Sequence, residues 1–220
     1  MSPLIKIFLV LFFLSSCKYG AYIKSVFSKE PQVFEVNQKS LIDRVFYQAL
    51  NNPDSASPIV LFIGGSGFTS YKWYLNDYFS TWKSPIMLFA IQKLGIKKFS
   101  NELLSKPNNQ FLKHNFFGQW VADYSEFLGL AKELGIFKNR KIIVMGVSEG
   151  GLLASYLGKN FELIDMVILC NSGFMETKEE LQLIANKNGF KGSIQPNFNQ
   201  ISDDSISYEK YFMGQTYKYW

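Results

Sequence analysis

The sequence is poor in the residues that usually bind metals and nucleic acids. Its 220 residues include one histidine, His114, and two cysteines, Cys17 and Cys170. These are too few soft ligands for a structural zinc site, and we expect neither a metal nor a cofactor. Arginine occurs only at Arg44 and Arg140, which disfavours bidentate binding of phosphates or bases. The net charge of +5 comes from scattered lysines without a recognition helix or stacking motif, so no nucleic-acid partner is expected.

Length and apolar content favour one well-packed domain. Hydrophobic residues make up 47% of the 220-residue chain, which is ordinary for a globular protein. The chain is too short for two large domains. We divide it into a signal segment at 1–17, a tether at 18–30, a core at 31–175, and a lid-like or cap-like segment with a tail at 176–220.

The first twenty residues have the features of an export signal. Lys6 precedes an apolar run from Ile7 to Leu14, and two serines and Cys17 follow. A positive start, a short apolar region and small residues at a cleavage point are typical of a signal peptide. The run is less than half of the roughly 20 residues that a membrane-spanning helix needs. An uncleaved anchor or a short buried helix is the alternative interpretation.

The stretch from Leu14 to Cys17 resembles a bacterial lipoprotein box. The resemblance implies that Cys17 is lipidated and becomes the new N-terminus. Each buried CH₂ of an acyl chain contributes about 0.8 kcal/mol, so two or more chains anchor a protein stably. We therefore expect an exported protein, anchored by lipid in the cell envelope, with residues 18–30 as its tether. Cys170 would then be an unpaired, buried thiol.

Apolar strands alternate with amphipathic helices through the rest of the chain. The pattern predicts strands at QVFEV, LIDRVFYQAL, PIVLFIGG, SPIMLFAIQKLGI, KIIVMG and IDMVILCNS, and helices over Phe117–Gly135 and Glu149–Asn160. Continuously apolar strands are typical of parallel sheets that are covered on both faces. The predicted fold class is therefore α/β, with a mainly parallel sheet and helices on both sides.

A serine lies in a glycine-flanked turn between a predicted strand and a predicted helix. The residues Gly146-Val147-Ser148-Glu149-Gly150 fit the pattern G-x-S-x-G of a nucleophile elbow. Such a turn is sharp and strained, so larger side chains at 146 and 150 would collide with neighbouring backbone. The helix that follows directs its N-terminus at the serine. Its N–H groups, beginning with that of Glu149, are able to stabilise an oxyanion.

A second glycine turn follows the strand IVLFI. The sequence Gly64-Gly65-Ser66-Gly67 lacks the Gly-Lys-Ser/Thr of a P-loop, and its glycine spacing does not fit a dinucleotide-binding fingerprint. In a nucleophile-elbow fold, the second oxyanion N–H comes from the loop after an earlier strand. One oxyanion site therefore explains both glycine turns.

Together these features resemble the α/β-hydrolase family over residues 31–175. They are most similar to bacterial hydrolases with HGSGP in the first loop and G-x-SEGG at the elbow, although Gly64 and Phe68 replace the histidine and the proline. The resemblance implies that Ser148 is a nucleophile, with an oxyanion hole formed by the N–H groups of Ser66 (or Gly65) and Glu149. It also implies cleavage of an ester, thioester or amide in a small-molecule or acyl substrate, through an acyl-serine intermediate.

The family's acid and base are not found where its chain order places them. The order is serine, then Asp or Glu, then histidine, but no histidine follows Ser148. None of the later acids follows a further predicted buried strand: Glu162, Asp165, Glu176, Glu179, Glu180, Asp203, Asp204 and Glu209. We therefore expect a chain that stops before the family's last two strands and is incomplete or inactive as an enzyme.

His114 as the base is a weaker explanation than a chain that stops early. It precedes the serine, and we place it in a loop between a strand and a helix, where ligands bind in such sheets. The stretch LKHNFFG is also compatible with an ordinary surface turn. Two other functions stay open: a non-catalytic, lipid-anchored binding protein on the same fold, and an acyltransferase that uses the same acyl-enzyme.

Overall fold

The fold is given by a computed structural model. It describes residues 31–35, 40–71, 75, 78–97, 106–172 and, for the backbone alone, 211–212 and 215–216. The predicted signal segment, the tether and nearly all of the lid-like segment lie outside these residues. None of the helices within them has the length and apolar character that crossing a membrane requires.

Six strands of the described residues form one sheet. The strands are β1 (Gln32–Val33), β2 (Val45–Leu50), β3 (Ile59–Ile63), β4 (Ile86–Ile91), β5 (Ile142–Val147) and β6 (Met166–Cys170). Their order is β1-β2-β4-β3-β5-β6. The strands β1, β2 and β4 pair antiparallel, whereas β3 pairs parallel with β4 and β5, and β5 pairs parallel with β6. The predicted mainly parallel sheet is thus confirmed.

Three helices and a small hairpin are also described over their full length. They are α1 (Asn109–His114), α2 (Phe117–Glu133), α3 (Gly150–Asn160), and the strands β7 (Tyr211–Phe212) and β8 (Gln215–Thr216), which pair with each other in a second sheet.

Both faces of the central strand β3 are covered. Leu61 and Ile63 pack in the cluster that contains the apolar faces of α2 and α3. Val60 and Phe62 pack on the opposite side, in the cluster formed by Tyr71, Leu75 and Phe79, where residues 71, 75 and 78 are helical. All five residues of β3 are buried as a result. This burial explains why β3 is continuously apolar rather than alternating.

Helix α2 follows its predicted pattern closely. Five residues of the three- and four-residue repeat are buried: Trp120, Tyr124, Phe127, Leu128 and Ala131. Leu134, the last residue of the predicted repeat, is instead 58% exposed. The helix ends at its C-cap Leu134, and Gly135 takes a left-handed φ of 69°. Glycine adopts this conformation without steric cost, so it ends the helix as predicted.

The strand predictions LIDRVFYQAL and SPIMLFAIQKLGI were too long, and the helix α1 was not predicted. Residues 41–44 form a turn before β2, and β4 ends at Ile91, so Gln92 and Lys93 lie beyond it. Helix α1 begins where the Asn108 side chain accepts a hydrogen bond from the Phe111 N–H at 2.9 Å. His114 is therefore the last residue of a helix, and its placement in a loop or surface turn was wrong.

Strand β6 forms one edge of the six-stranded sheet. Its side chains are only half-buried, and Met166 is 54% exposed. Cys170, at the end of β6, is a free thiol and is half-buried rather than buried as predicted.

Candidate active site

Ser148 occupies the junction between β5 and α3. Its φ of 54° lies in the left-handed region, which residues other than glycine seldom adopt. Its N–H donates to the Cys170 carbonyl at 2.9 Å, which ties the turn to the end of β6. The residue is exposed. A strained backbone thus presents the serine at the carboxyl edge of the parallel strands, where active sites of such sheets lie.

The two glycines of the turn leave no space for a side chain. A Cβ added at Gly146 would lie 2.2 Å from the Gly150 carbonyl oxygen, and one added at Gly150 would lie 2.3 Å from that of Ile63. Both distances fall well inside van der Waals contact, and both contacts are with backbone. Close packing of α3 against β3 and β5 therefore requires glycine at 146 and 150.

The glycine loop after β3 lies directly beside Ser148. A Cβ added at Gly65 would be 3.1 Å from Ser148 Cβ and 3.6 Å from Ser148 Oγ. The strands β3 and β5 are parallel neighbours, so the turns that follow them meet at one edge. The structure thus brings Gly65 and Ser148 together, although they are far apart in the sequence.

Hydrogen bonds hold the glycine loop from its buried side. The Gly64 N–H donates to the Tyr71 hydroxyl at 3.0 Å, and Lys93 Nζ donates to the Gly65 carbonyl at 2.7 Å. The Lys93 ammonium also lies 3.7 Å from the centre of the Trp120 ring. A cation over an aromatic ring is attracted to its negative face, so Trp120 helps to hold Lys93 under the loop.

A buried polar network supports Tyr71 in turn. The Gln92 side-chain oxygen accepts from the Tyr71 N–H at 2.8 Å, and the Gln92 N–H donates to the Arg44 carbonyl at 2.7 Å. Arg44 is buried, and its guanidinium contacts both carboxylate oxygens of the buried Asp123. Such a bidentate pair satisfies charges that would otherwise be costly to bury. The network links the turn before β2, the end of β4 and helix α2.

Tyr124 completes the buried layer beneath the loop. Its hydroxyl donates to the Phe62 carbonyl at 3.0 Å and accepts from the Ile91 N–H at 3.4 Å. Burial raises the pKa of this hydroxyl well above its usual value, with a smaller contribution from Tyr71. The neutral phenol is therefore retained as a hydrogen-bond donor. A cavity of about 10 Å³ lies between Tyr124, Lys93 and Gly64, which is room for about one water molecule.

Neither His114 nor Asp165 is hydrogen-bonded to Ser148 in the described part of the chain. His114 is half-buried at the end of α1, and within the described residues no hydrogen bond joins it to Ser148. Asp165 accepts from Lys141 Nζ at 2.6 Å and from the Ile142 N–H at 2.8 Å, at the opposite end of β5. These two hydrogen bonds lower the pKa of Asp165, the one from Lys141 contributing most. Glu162 is exposed, and the other candidate acids, at 176–209, lie outside the described residues.

The sequence did not lead us to predict the residues that support the glycine loop. Gln92 and Lys93 were assigned to a long strand, yet they follow the buried run of β4 directly. Polar residues immediately after a buried parallel strand are a usable signal, because this edge of the sheet binds ligands. No local pattern predicts the contribution of Asp123, which lies on the buried face of α2. In the described part of the chain, no group of three or more metal-ligating side chains is close enough to hold a metal ion.

Comparison with known proteins finds similarity in structure but not in sequence. No protein-family model matches the sequence, and no curated protein matches it significantly. Among solved structures, a monoglyceride lipase from Saccharomyces cerevisiae has a TM-score of 0.48 at 16% identity, over 73% of this chain and 54% of that one.

Two further solved structures are similar in the same way. A carboxylesterase from Bacillus subtilis has a TM-score of 0.40 at 20% identity, over 69% of this chain and 47% of that one. A bacterial membrane phospholipase A has a TM-score of 0.42 at 16% identity, over 81% of this chain and 52% of that one. The chain thus spans about half the length of each of these three proteins.

Proposed function

We propose that this protein is a serine hydrolase of ester, thioester or amide bonds, with Ser148 as its nucleophile. The observation that carries the proposal is the meeting of two strained or glycine-rich turns at one sheet edge. There, an exposed Ser148 with a φ of 54° lies against Gly65. A serine that only stabilised the fold would have no need of an exposed position on strained backbone.

The chemistry proposed at this edge is acyl transfer to the serine. Ser148 Oγ attacks a carbonyl carbon, the bond to the leaving group breaks, and water later releases the acyl group. The negative oxygen that forms during attack is held by N–H groups of the glycine loop and of Glu149, at the start of α3. The N-terminal end of α3 adds the positive end of its dipole.

The proposed reaction also needs a base that accepts the Ser148 proton. His114 is the only histidine of the 220 residues, and no hydrogen bond within the described residues joins it to Ser148. We therefore propose that this chain supplies the oxyanion site but lacks an efficient acceptor for the Ser148 proton. In a serine protease, the oxyanion hole and binding alone retain a rate enhancement of about 10³ to 10⁴ over water. We therefore expect a slow reaction at Ser148 and not at the other serines.

A fluorophosphonate reagent tests this proposal. Its phosphoryl oxygen occupies the oxyanion position, so an oxyanion site accelerates phosphonylation of the adjacent serine. We expect slow labelling at Ser148 alone among the 22 serines, measured by intact mass and peptide mapping. The Ser148→Ala variant and the urea-unfolded wild type should take up no label above that of ordinary serines. Labelling spread evenly over exposed serines would contradict the proposal.

We further propose that the protein is exported and anchored to the bacterial envelope by lipid on Cys17. The motivation is the short apolar run after Lys6 and the small residues before Cys17. Cells fed an alkyne fatty acid should incorporate the label into the wild type and lose it in Cys17→Ser. The matched control is Cys170→Ser, which leaves the signal unchanged and should label fully. Equal labelling of wild type and Cys17→Ser would refute lipidation at Cys17.

A further inference from the structure

The peptide directions in the glycine loop decide which N–H group is able to face Ser148. The Gly64 carbonyl lies against the start of α3, since a Cβ added at Gly150 would be 2.6 Å from its oxygen. In a trans peptide, the carbonyl and the following N–H point in opposite directions. The Gly65 N–H therefore points away from α3. The Gly64 N–H is donated to the Tyr71 hydroxyl, so the next amide, that of Ser66, is the one to consider.

Lys93 sets the direction of the Ser66 amide. Its ammonium donates to the Gly65 carbonyl at 2.7 Å, from the buried side where Lys93 and Gly64 line the small cavity. By the same trans geometry, the Ser66 N–H points away from Lys93. Ser148 is exposed, lies against the Cα of Gly65, and is not among the residues that line the cavity. The Ser66 N–H is thus directed away from the cavity, because Lys93 holds the Gly65 carbonyl of the same peptide.

We infer that Lys93 is a positioning residue that turns the Ser66 N–H toward the oxyanion beside Ser148; this inference rests on the proposed function. It selects Ser66 over Gly65 as the donor supplied by the loop. The ammonium also polarises the Gly65–Ser66 peptide, which makes its N–H a stronger donor. Its positive charge lies one peptide away from the position where negative charge forms.

The loop needs such a restraint because of its composition. Three of its four residues, 64 to 67, are glycines, which have the largest backbone freedom of any residue. Ring contact with Trp120 holds the lysine in place, and Trp120 itself is buried in α2. An otherwise mobile turn is therefore fixed from a rigid helix through one lysine side chain.

The test compares variants of Lys93 in the full chain. Lys93→Met keeps a side chain of similar length over Trp120 and removes the donor and the charge. Lys93→Gln removes the charge and shortens the side chain by one atom, but it keeps an N–H donor. Lys93→Arg keeps both the charge and the donor. We expect the maximal rate of Ser148 phosphonylation to fall about 10- to 100-fold in the Met and Gln variants, with an unchanged reagent dissociation constant. Lys93→Arg should stay within about threefold of wild type.

Hydrogen exchange separates positioning from general stabilisation. Hydrogen exchange of the 64–67 segment should accelerate by about tenfold or more in Lys93→Met, while exchange across α2 and β4 stays as in wild type. A purely structural role for Lys93 would instead accelerate exchange in α2 and β4 as well, and Lys93→Arg would not rescue it.

The outcomes distinguish the two proposals. If wild type labels at Ser148 and the Lys93→Met and Lys93→Gln variants label at the same maximal rate, the inference is wrong and the hydrolase proposal stands. A wild type that takes up no label at Ser148 contradicts the proposed function and the inference together.

Discussion

The 220-residue chain is expected to hydrolyse p-nitrophenyl esters barely above the uncatalysed rate. Loss of either the nucleophile or the histidine of a serine protease costs about 10⁶ in kcat, because the two act as a unit. Here Ser148 is exposed at its turn, whereas no hydrogen bond within the described residues connects it to His114. Steady-state release of p-nitrophenol by the purified chain, compared with buffer and with Ser148→Ala, measures the difference directly.

His114→Ala is the control for this expectation. If His114 serves only as the last residue of α1, its replacement should leave both the weak turnover and the phosphonylation of Ser148 unchanged. A fast ester turnover that disappears in Ser148→Ala and in His114→Ala alike would reverse the conclusion. His114 would then be the base, reaching Ser148 in a conformation other than the one described.

Replacement of either turn glycine by valine is expected to prevent folding. The contacts that a Cβ would make at Gly146 and Gly150, 2.2 and 2.3 Å, are with backbone oxygens that cannot rotate away. Destabilisation above about 4 kcal/mol is exceptional for a single substitution and arises from overpacking of this kind. Soluble yield and the denaturation midpoint of Gly146→Val and Gly150→Val are the measurements.

Gly129 provides a matched control for the glycine substitutions. It lies in the exposed side of α2, and a Cβ added there meets no atom within 4 Å. Gly129→Ala should therefore stabilise the protein by up to about 1 kcal/mol, because alanine favours helix over glycine. If Gly146→Ala lowered stability no more than Gly129→Ala does, α3 would not approach β3 and β5 as closely as described.

The sequence predicts the sheet well because its central strands carry a strong local signal. A strand such as β3 is buried on both faces and is therefore apolar at every position, and α2 shows a clear three- and four-residue repeat. Strand ends are less well predicted. Gln92 and Lys93 follow the apolar run of β4 with no turn residue between them, so their polarity alone marks the strand end.

The serine turn is visible in the sequence because its requirements are local. Glycine must occupy 146 and 150 where a Cβ would collide, and this leaves a readable pattern around Ser148. The support beneath the loop is not readable in the same way. Lys93, Trp120 and Asp123 meet only after the sheet and α2 have packed, and each residue type is common on its own. A short helix such as α1 is missed for a related reason, since six residues give too few repeats.

The anchoring of Ser148 to Cys170 has a consequence for how the chain folds. The Ser148 N–H bonds to the end of β6, its Cβ lies against the loop after β3, and that loop is held from the end of β4. Contacts between residues so distant in sequence form late, after the loop-closure entropy of the intervening segments has been overcome. We therefore expect the proposed reactivity of Ser148 to depend on these long-range contacts. The rate at which Ser148 becomes reactive during refolding should therefore follow the slowest cooperative step of the whole sheet, and not the formation of its own turn.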